Sequence, residues 1–219
     1  MRRGPTAPAW LAIGTVSLVI IGGCGSAPSV SSMSIANRQS GPASLLTNPG
    51  FEADTLAPWF ETLNSGGKIV LAKRFARSGH HSAGISMPVR AITRTVALSQ
   101  LVQELPARRP GSAYVLRLRA YVVGLTRSVG LALKLNYPSG QYTFFYGGPV
   151  VAGGTGKPLS GGIGPGTRRR WERFGVDAVA RRHLQSIEVF ALNEGPGRVR
   201  GSVWIDDVVL RQGNAGGSR

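Results

Sequence analysis

Apolar and polar residues alternate with a period of two through much of this chain. Over 114–122, Tyr114, Leu116, Leu118, Ala120 and Val122 share one parity, while Arg117, Arg119 and Tyr121 share the other. Successive side chains of a strand point to opposite faces, so this stretch reads as a strand with one buried face. Val129, Leu131, Leu133, Leu135 and Tyr137 form a second such set, opposite Gly130, Ala132, Lys134 and Asn136. Pro138, Ser139 and Gly140 then supply a turn into 141–146, which predicts a hairpin. Further strands are expected at 84–88, 94–105, 171–179, 186–192 and 202–210, joined by Gly- and Pro-rich connectors, notably 147–166. No segment combines helical periodicity with caps over the length of a long helix. The pattern predicts an all-β fold, a two-sheet sandwich.

The N-terminus departs from this alternation. Arg2 and Arg3 precede an uncharged apolar run over 9–21, the layout of an export signal, and the run is shorter than the roughly 20 residues a bilayer span requires. Ile21, Gly22, Gly23 and Cys24 resemble a lipobox, which implies cleavage before Cys24 and a lipid on that cysteine. A plain secretory signal with an incidental cysteine is the alternative. Cys24 is the single Cys of 219 residues, so no intramolecular disulfide can form. The expected organisation is a signal peptide over 1–23, the lipidated cysteine and a flexible linker over 24–43, one domain over 44–212 and a tail over 213–219. The expected location is extracytoplasmic, anchored to a membrane through the lipid alone.

Charge adds a further constraint. Lys and Arg number 26 against 10 Asp and Glu, giving a formal net charge of +16. Lys occurs only at Lys68, Lys73, Lys134 and Lys157, so most of the charge is Arg, whose planar fork suits carboxylate and phosphate. Coding bias toward Arg is the alternative account. Arg168, Arg169 and Arg170 precede Trp171 and Arg173, with Arg181 and Arg182 further on. That stretch permits salt-sensitive polyanion binding, to acidic wall polymers, extracellular DNA or an anionic membrane. Export argues against a genomic nucleic-acid partner.

Several motifs occur in the order of a known family. Leu46-Thr47-Asn48-Pro49-Gly50-Phe51-Glu52, Trp59 and Ser78-Gly79-His80-His81-Ser82-Ala83 come first. Gln100 lies ahead of a Pro110-Gly111-Ser112-Ala113-Tyr114 turn, then come Trp171 and Trp204-Ile205-Asp206-Asp207-Val208-Val209-Leu210. From about Leu45 to Arg211 the chain resembles carbohydrate-binding modules of the jelly-roll group that includes families 4, 9 and 22, with a galactose-binding-like fold. The resemblance implies an antiparallel jelly-roll β-sandwich and a polysaccharide or other cell-envelope glycan as partner. It also implies a structural calcium ion held by Glu52 and Asp206 with carbonyls of the Ser-Gly loop, Asp207 substituting if the register shifts by one. Oxygen donors of this kind suit calcium; simple pairing of these acids with Arg is the alternative. Trp59 and Trp171 match positions that are more often structural in such modules.

The candidate sugar-binding surface follows from strand parity. With Leu116 and Leu118 inward, Arg117, Arg119 and Tyr121 point outward, and Lys134 and Asn136 are expected beside them on a neighbouring strand. Tyr142, Phe144 and Tyr146 share one face of the next strand. Rings on which sugars stack, with Arg, Lys and Asn donors around them, suit a glycan, an acidic one included. The alternative places the rings in the core and the charges on a solvated face. Catalysis has little support, because glycoside hydrolysis needs two facing carboxyl groups. Glu61, Glu104, Glu172, Asp177, Glu188 and Glu194 are scattered, and His80, His81 and His183 have neither zinc-ligand nor nucleophile spacing. Gly153 to Lys157 lacks the glycine spacing of a phosphate loop. The expectation is therefore a non-catalytic, lipid-anchored glycan-binding protein. A polyanion-binding module or an attachment domain without a sugar site is the alternative.

Overall fold

A computed structural model describes residues 43–62, 68–87, 97–106, 108–151, 157–193 and 199–213. Cys24, the leader, the linker up to residue 42, the tail beyond Gly213, Glu194 and Gly153 to Gly156 lie outside these residues. Eleven strands are described: β1 (Phe60–Thr62), β2 (Lys68–Lys73), β3 (His81–Met87), β4 (Ala97–Val102), β5 (Ala113–Val123), β6 (Gly130–Asn136), β7 (Tyr142–Tyr146), β8 (Gly148–Pro149), β9 (Glu172–Val179), β10 (Ser186–Asn193) and β11 (Gly201–Gly213). They form a five-stranded sheet ordered β1-β4-β10-β6-β7 and a six-stranded sheet ordered β2-β3-β11-β5-β9-β8. Every pairing described is antiparallel. The fold is an all-β, two-sheet sandwich, as the alternation predicts.

The inner faces fill one core. Leu116, Leu118 and Ala120 of β5 and Phe174 and Val176 of β9 come from one sheet, and Leu131, Leu133, Leu135, Ile187 and Val189 from the other. Strand β5 alternates without a break between buried and half-buried positions, so the parity read from sequence is the observed one. The hairpin across Pro138 to Gly140 is the β6–β7 pair, with Asn136 opposite Tyr142 and Lys134 opposite Phe144. Strands β1, β2 and β8 carry too few alternating residues to be read from sequence.

One expectation is corrected. Strand β6 is not a neighbour of β5: β5 pairs with β11 and β9, whereas β6 pairs with β10 and β7. Arg117, Arg119 and Tyr121 therefore lie on one outer face of the sandwich, and Lys134 and Asn136 on the other. Periodicity tells which side of a strand is buried; it does not tell which sheet the strand joins.

Candidate functional site

The outer face of the five-stranded sheet is laid out by register. One row crosses all five strands: Phe60, Ser99, Phe190, Ala132 and Tyr146. At about 4.8 Å between strands, such a row spans roughly 19 Å. A second row holds Leu101, Glu188, Lys134 and Phe144, and a third Ser186, Asn136 and Tyr142. Large side chains stand exposed at both margins, with Phe60 and Leu101 at 41% and 43% and Tyr142 and Tyr146 at 60% and 67%. The small Ser99 and Ala132 between them are buried, and Ser99 Oγ has no hydrogen-bond partner.

Rings and polar groups are held against one another here. Phe144 stacks on Tyr146 at 5.8 Å between centroids, meets Tyr142 edge-on at 5.5 Å, and lies 5.8 Å from Phe190. Lys134 Nζ sits 5.1 Å from the Tyr142 ring centroid and 3.2 Å from Glu188 Oε2. Asn136 Nδ2 donates to Ser186 Oγ at 3.1 Å. A cleft of about 400 Å³ opens beside Tyr146, lined by Ser128, Gly130, Gly161 and Gly162. The parity of β7 makes its rings a surface platform, while Phe145 packs against the core.

The opposite outer face, on the six-stranded sheet, differs in chemistry. Phe75, Tyr121, Trp171 and Trp204 form one cluster, with Phe75 within 5.0 to 5.7 Å of the other three rings. Next to it, Arg119 lies directly across from Arg173. Burial, then the charges of Arg173 and Arg77, lowers the Arg119 pKa, and Asp207 opposes the shift. Arg117 lies over Gly175 and pairs with Asp177 at 2.6 Å. The basic run ends in a cleft of about 770 Å³ where Arg168 and Arg170 both pair with Glu172, at 3.2 and 2.9 Å.

Glu52 and Asp206 come together at the N-terminal corner, where Gly50 lies near both side chains. Asn48 and Phe51 take positive φ there, and Trp59 Nε1 donates to the Asn48 carbonyl at 3.1 Å. Gln100 clamps the preceding residues by bonding both the N–H and the C=O of Thr47 at 2.9 Å. The 77–81 loop wraps the two carboxylates. Asp206 Oδ2 accepts from the N–H groups of Arg77 and Ser78 at 2.7 and 3.0 Å, and Glu52 accepts from those of His80 and His81 at 3.0 Å. A side chain at Gly79 would run into the Glu52 carboxylate.

The two carboxyl groups respond oppositely to this setting. Burial pushes Asp206 up to about 6, the Asp207 charge adding to it while the N–H groups of Ser78, Asp207 and Arg77 pull against it. For Glu52 burial also raises the pKa, but the N–H groups of His81 and His80 and their imidazoles outweigh it and leave the pKa lowered. Neither acid pairs with Arg or Lys among the described residues. His81 Nδ1 lies 3.8 Å from Glu52 Oε2 and has no hydrogen-bond partner, while His80 is exposed. Asp207 takes φ of 52° at a bulge in β11 and accepts from Ser78 Oγ at 2.5 Å. The Glu52 and Asp206 carboxylates, hydrogen-bonded to backbone N–H groups but without an Arg or Lys partner among the described residues, are oxygen donors of the kind that fit a hard cation. No group of three or more His, Cys, Asp or Glu that could hold a metal ion gathers among the described residues.

No family model and no curated protein matches the chain. Among solved structures, it superposes on family 16 carbohydrate-binding module-2 with a TM-score of 0.50 at 13% identity, covering 76% of this chain and 99% of that one. The C-terminal family 22 carbohydrate-binding module of Clostridium thermocellum Xyn10B gives 0.50 at 14% identity, covering 78% and 93%. The fold is the jelly roll of carbohydrate-binding modules. The enzymatically active domain of the bacteriophage CBA120 tailspike protein 4 also matches, with a TM-score of 0.50 at 15% identity. The match covers 77% of this chain but only 21% of the tailspike.

Within this jelly roll, the eight candidate ligand residues divide between two surfaces. Lys134, Asn136, Tyr142, Phe144 and Tyr146 share the five-stranded face, while Arg117, Arg119 and Tyr121 share the six-stranded one. Trp59 is buried against Phe51, whereas Trp171 belongs to the outer ring cluster. Sequence reasoning missed Phe60, Leu101 and Phe190 on the first face and Phe75 and Arg77 on the second, and it named Glu188 and Arg173 without placing them on either surface. Cross-strand register reveals those on strands, whereas Phe75 and Arg77 arrive on the loop between β2 and β3.

Proposed function

We propose that this protein is a non-catalytic glycan-binding protein whose jelly roll grips a polysaccharide on the outer face of the five-stranded sheet. The observation that carries the reading is the row from Phe60 to Tyr146, flanked by the Tyr142, Phe144 and Tyr146 rings. Exposed rings offer flat apolar surfaces to sugar faces, and Lys134, Asn136 and Glu188 supply hydrogen bonds to hydroxyls. Glu188 is engaged by Lys134, which suits a positioning role better than that of a catalytic acid. The solved carbohydrate-binding modules of this fold support the reading by their form.

Two further features complete the proposal. Calcium bound by Glu52 and Asp206 would pin the 77–81 loop to the N-terminal corner as a structural ion. Lipid on Cys24 would hold the domain outside the cytoplasm at a membrane, where envelope glycans are within reach. The strongly basic composition favours an acidic glycan.

Calorimetry of the full chain against polysaccharides identified by a glycan array tests the binding face. Tyr146→Ala should lose about tenfold in affinity, near 1.4 kcal/mol, since a ring contact is worth about 0.5–1.5 kcal/mol beyond its buried area. The melting temperature should not move, because Tyr146 is two-thirds exposed. Unchanged affinity in both Tyr142→Ala and Tyr146→Ala would remove this face from consideration.

A further inference from the structure

The six-stranded face carries an excess of positive charge that its own carboxylates do not neutralise. Arg119 and Arg173 are direct cross-strand partners, an arrangement that destabilises a sheet when both are charged. The charge of Arg77, from the loop above, also acts on Arg119. The acid nearest in register is Asp206, opposite Arg119 on β11, but its oxygens are taken up by the backbone N–H groups of Arg77, Ser78 and Asp207. Asp207 acts on Arg119 only through space and bonds Ser78 instead. Among the described residues no carboxylate comes within ion-pair distance of Arg77, Arg119 or Arg173. Arg117, Arg168 and Arg170 do have such partners, whereas Arg119 and Arg173 face one another across neighbouring strands without one.

Beside the three guanidinium groups stands the wall of Phe75, Tyr121, Trp171 and Trp204, with Phe75 exposed. Guanidinium forks match planar carboxylates, and aromatic rings match the apolar face of a pyranose. A free phosphate or sulfate ion would satisfy the charge but leave the rings without a role, whereas an acidic sugar engages both, and a planar carboxylate matches the guanidinium fork.

We propose that Arg77, Arg119 and Arg173, with the adjoining Phe75–Trp204 ring cluster, form a second binding site that takes the carboxylate of a uronic-acid sugar. The site deepens the glycan-binding reading by naming the sugar class, and it lies on the opposite sheet from the Tyr146 face. The protein then holds one acidic glycan, or two different chains, through two faces of one sandwich.

Calorimetry of the full chain against oligogalacturonate and against its methyl ester, which keeps the sugars and removes the charge, tests the site. The acid form should bind and the ester should bind at least tenfold more weakly. Arg119→Ala and Arg173→Ala should each lose about tenfold to a hundredfold, the range for a hydrogen bond to a charged group. Arg169→Ala removes the same charge from an exposed position outside the site and should change affinity little. If Arg119→Ala does not fold, Arg173→Ala, whose side chain is exposed, carries the test alone. Equal binding of acid and ester, or equal losses from Arg169→Ala and Arg119→Ala, would overturn the proposal in favour of diffuse charge attraction. Displacement of the oligomer by phosphatidylglycerol vesicles at lower concentration than by free oligogalacturonate would overturn it in favour of a membrane surface. A neutral polysaccharide held at Tyr146 should not compete with the uronate, so the two faces fail or stand separately.

Discussion

Asp206 offers the most demanding test, because its raised pKa makes a signed claim about stability. A carboxyl group at about 6 in the folded state and 3.8 unfolded keeps its proton more readily when folded. Between these values the folded state binds more protons, so its stability falls as pH rises and levels off above about 6. Two pH units correspond to about 3 kcal/mol, and in a chain of this size roughly 2–4 °C accompanies each kcal/mol. Without calcium, melting of the full chain should therefore drop by roughly 6–12 °C between about pH 4 and pH 7. Glu52 has its pKa lowered from 4.5 and works in the other direction, its contribution lost as pH falls below that value, outside most of the Asp206 window. Calcium binds the carboxylate form and should restore about 2.7 kcal/mol at a hundredfold excess over its dissociation constant. Asp206→Asn keeps an oxygen acceptor without the charge, and should abolish both the fall with pH and the response to calcium. A flat melting profile in chelator over this range, or identical curves with calcium and chelator, would refute the reasoning.

Gly147 lies where β7 leaves one sheet for the other, and an added Cβ would overlap the Gly175 carbonyl and approach Val176 Cγ2 at 2.7 Å. Gly147→Ala should cost about 1–3 kcal/mol by overpacking, and an unchanged melting temperature would contradict that fit. Cys24→Ser should leave uncleaved or untethered protein while the unaltered chain partitions into detergent. A soluble unaltered product with a free Cys24 thiol would defeat the anchor.

Local alternation made most of the fold legible. The β5 set from Tyr114 to Val122 and the β6 set from Leu131 to Leu135 each bury one face, and period two exposes that directly. The turn from Pro138 to Gly140 fixed the β6–β7 pair for the same reason, since a hairpin needs only neighbours in sequence. The sheet assignment of β5 and β6 was not legible. Short bridges from Leu125 to Gly166 and from Val129 to Ile163 tie the connection between them to a distant loop, and nothing local in 124–129 announces that contact.

The candidate sites divide along the same line. Tyr142, Phe144 and Tyr146 could be found because one strand displays them, but Phe60 and Phe190 enter the row only through pairings β1–β4 and β4–β10, between strands far apart in sequence. The Asp206–Asp207 step shows the limit more sharply. Both residues lie within a run of apolar alternation, yet the register shift after Asp206 breaks the parity of β11. Asp206 itself has the outward parity of Trp204, and the 77–81 loop closes over it. That loop brings Arg77 toward Arg119 while its N–H groups consume the carboxylate that would otherwise neutralise the pair. One loop thus accounts for a covered acid with a raised pKa and for an unneutralised arginine face beside it, and neither follows from residue type or spacing without the fold.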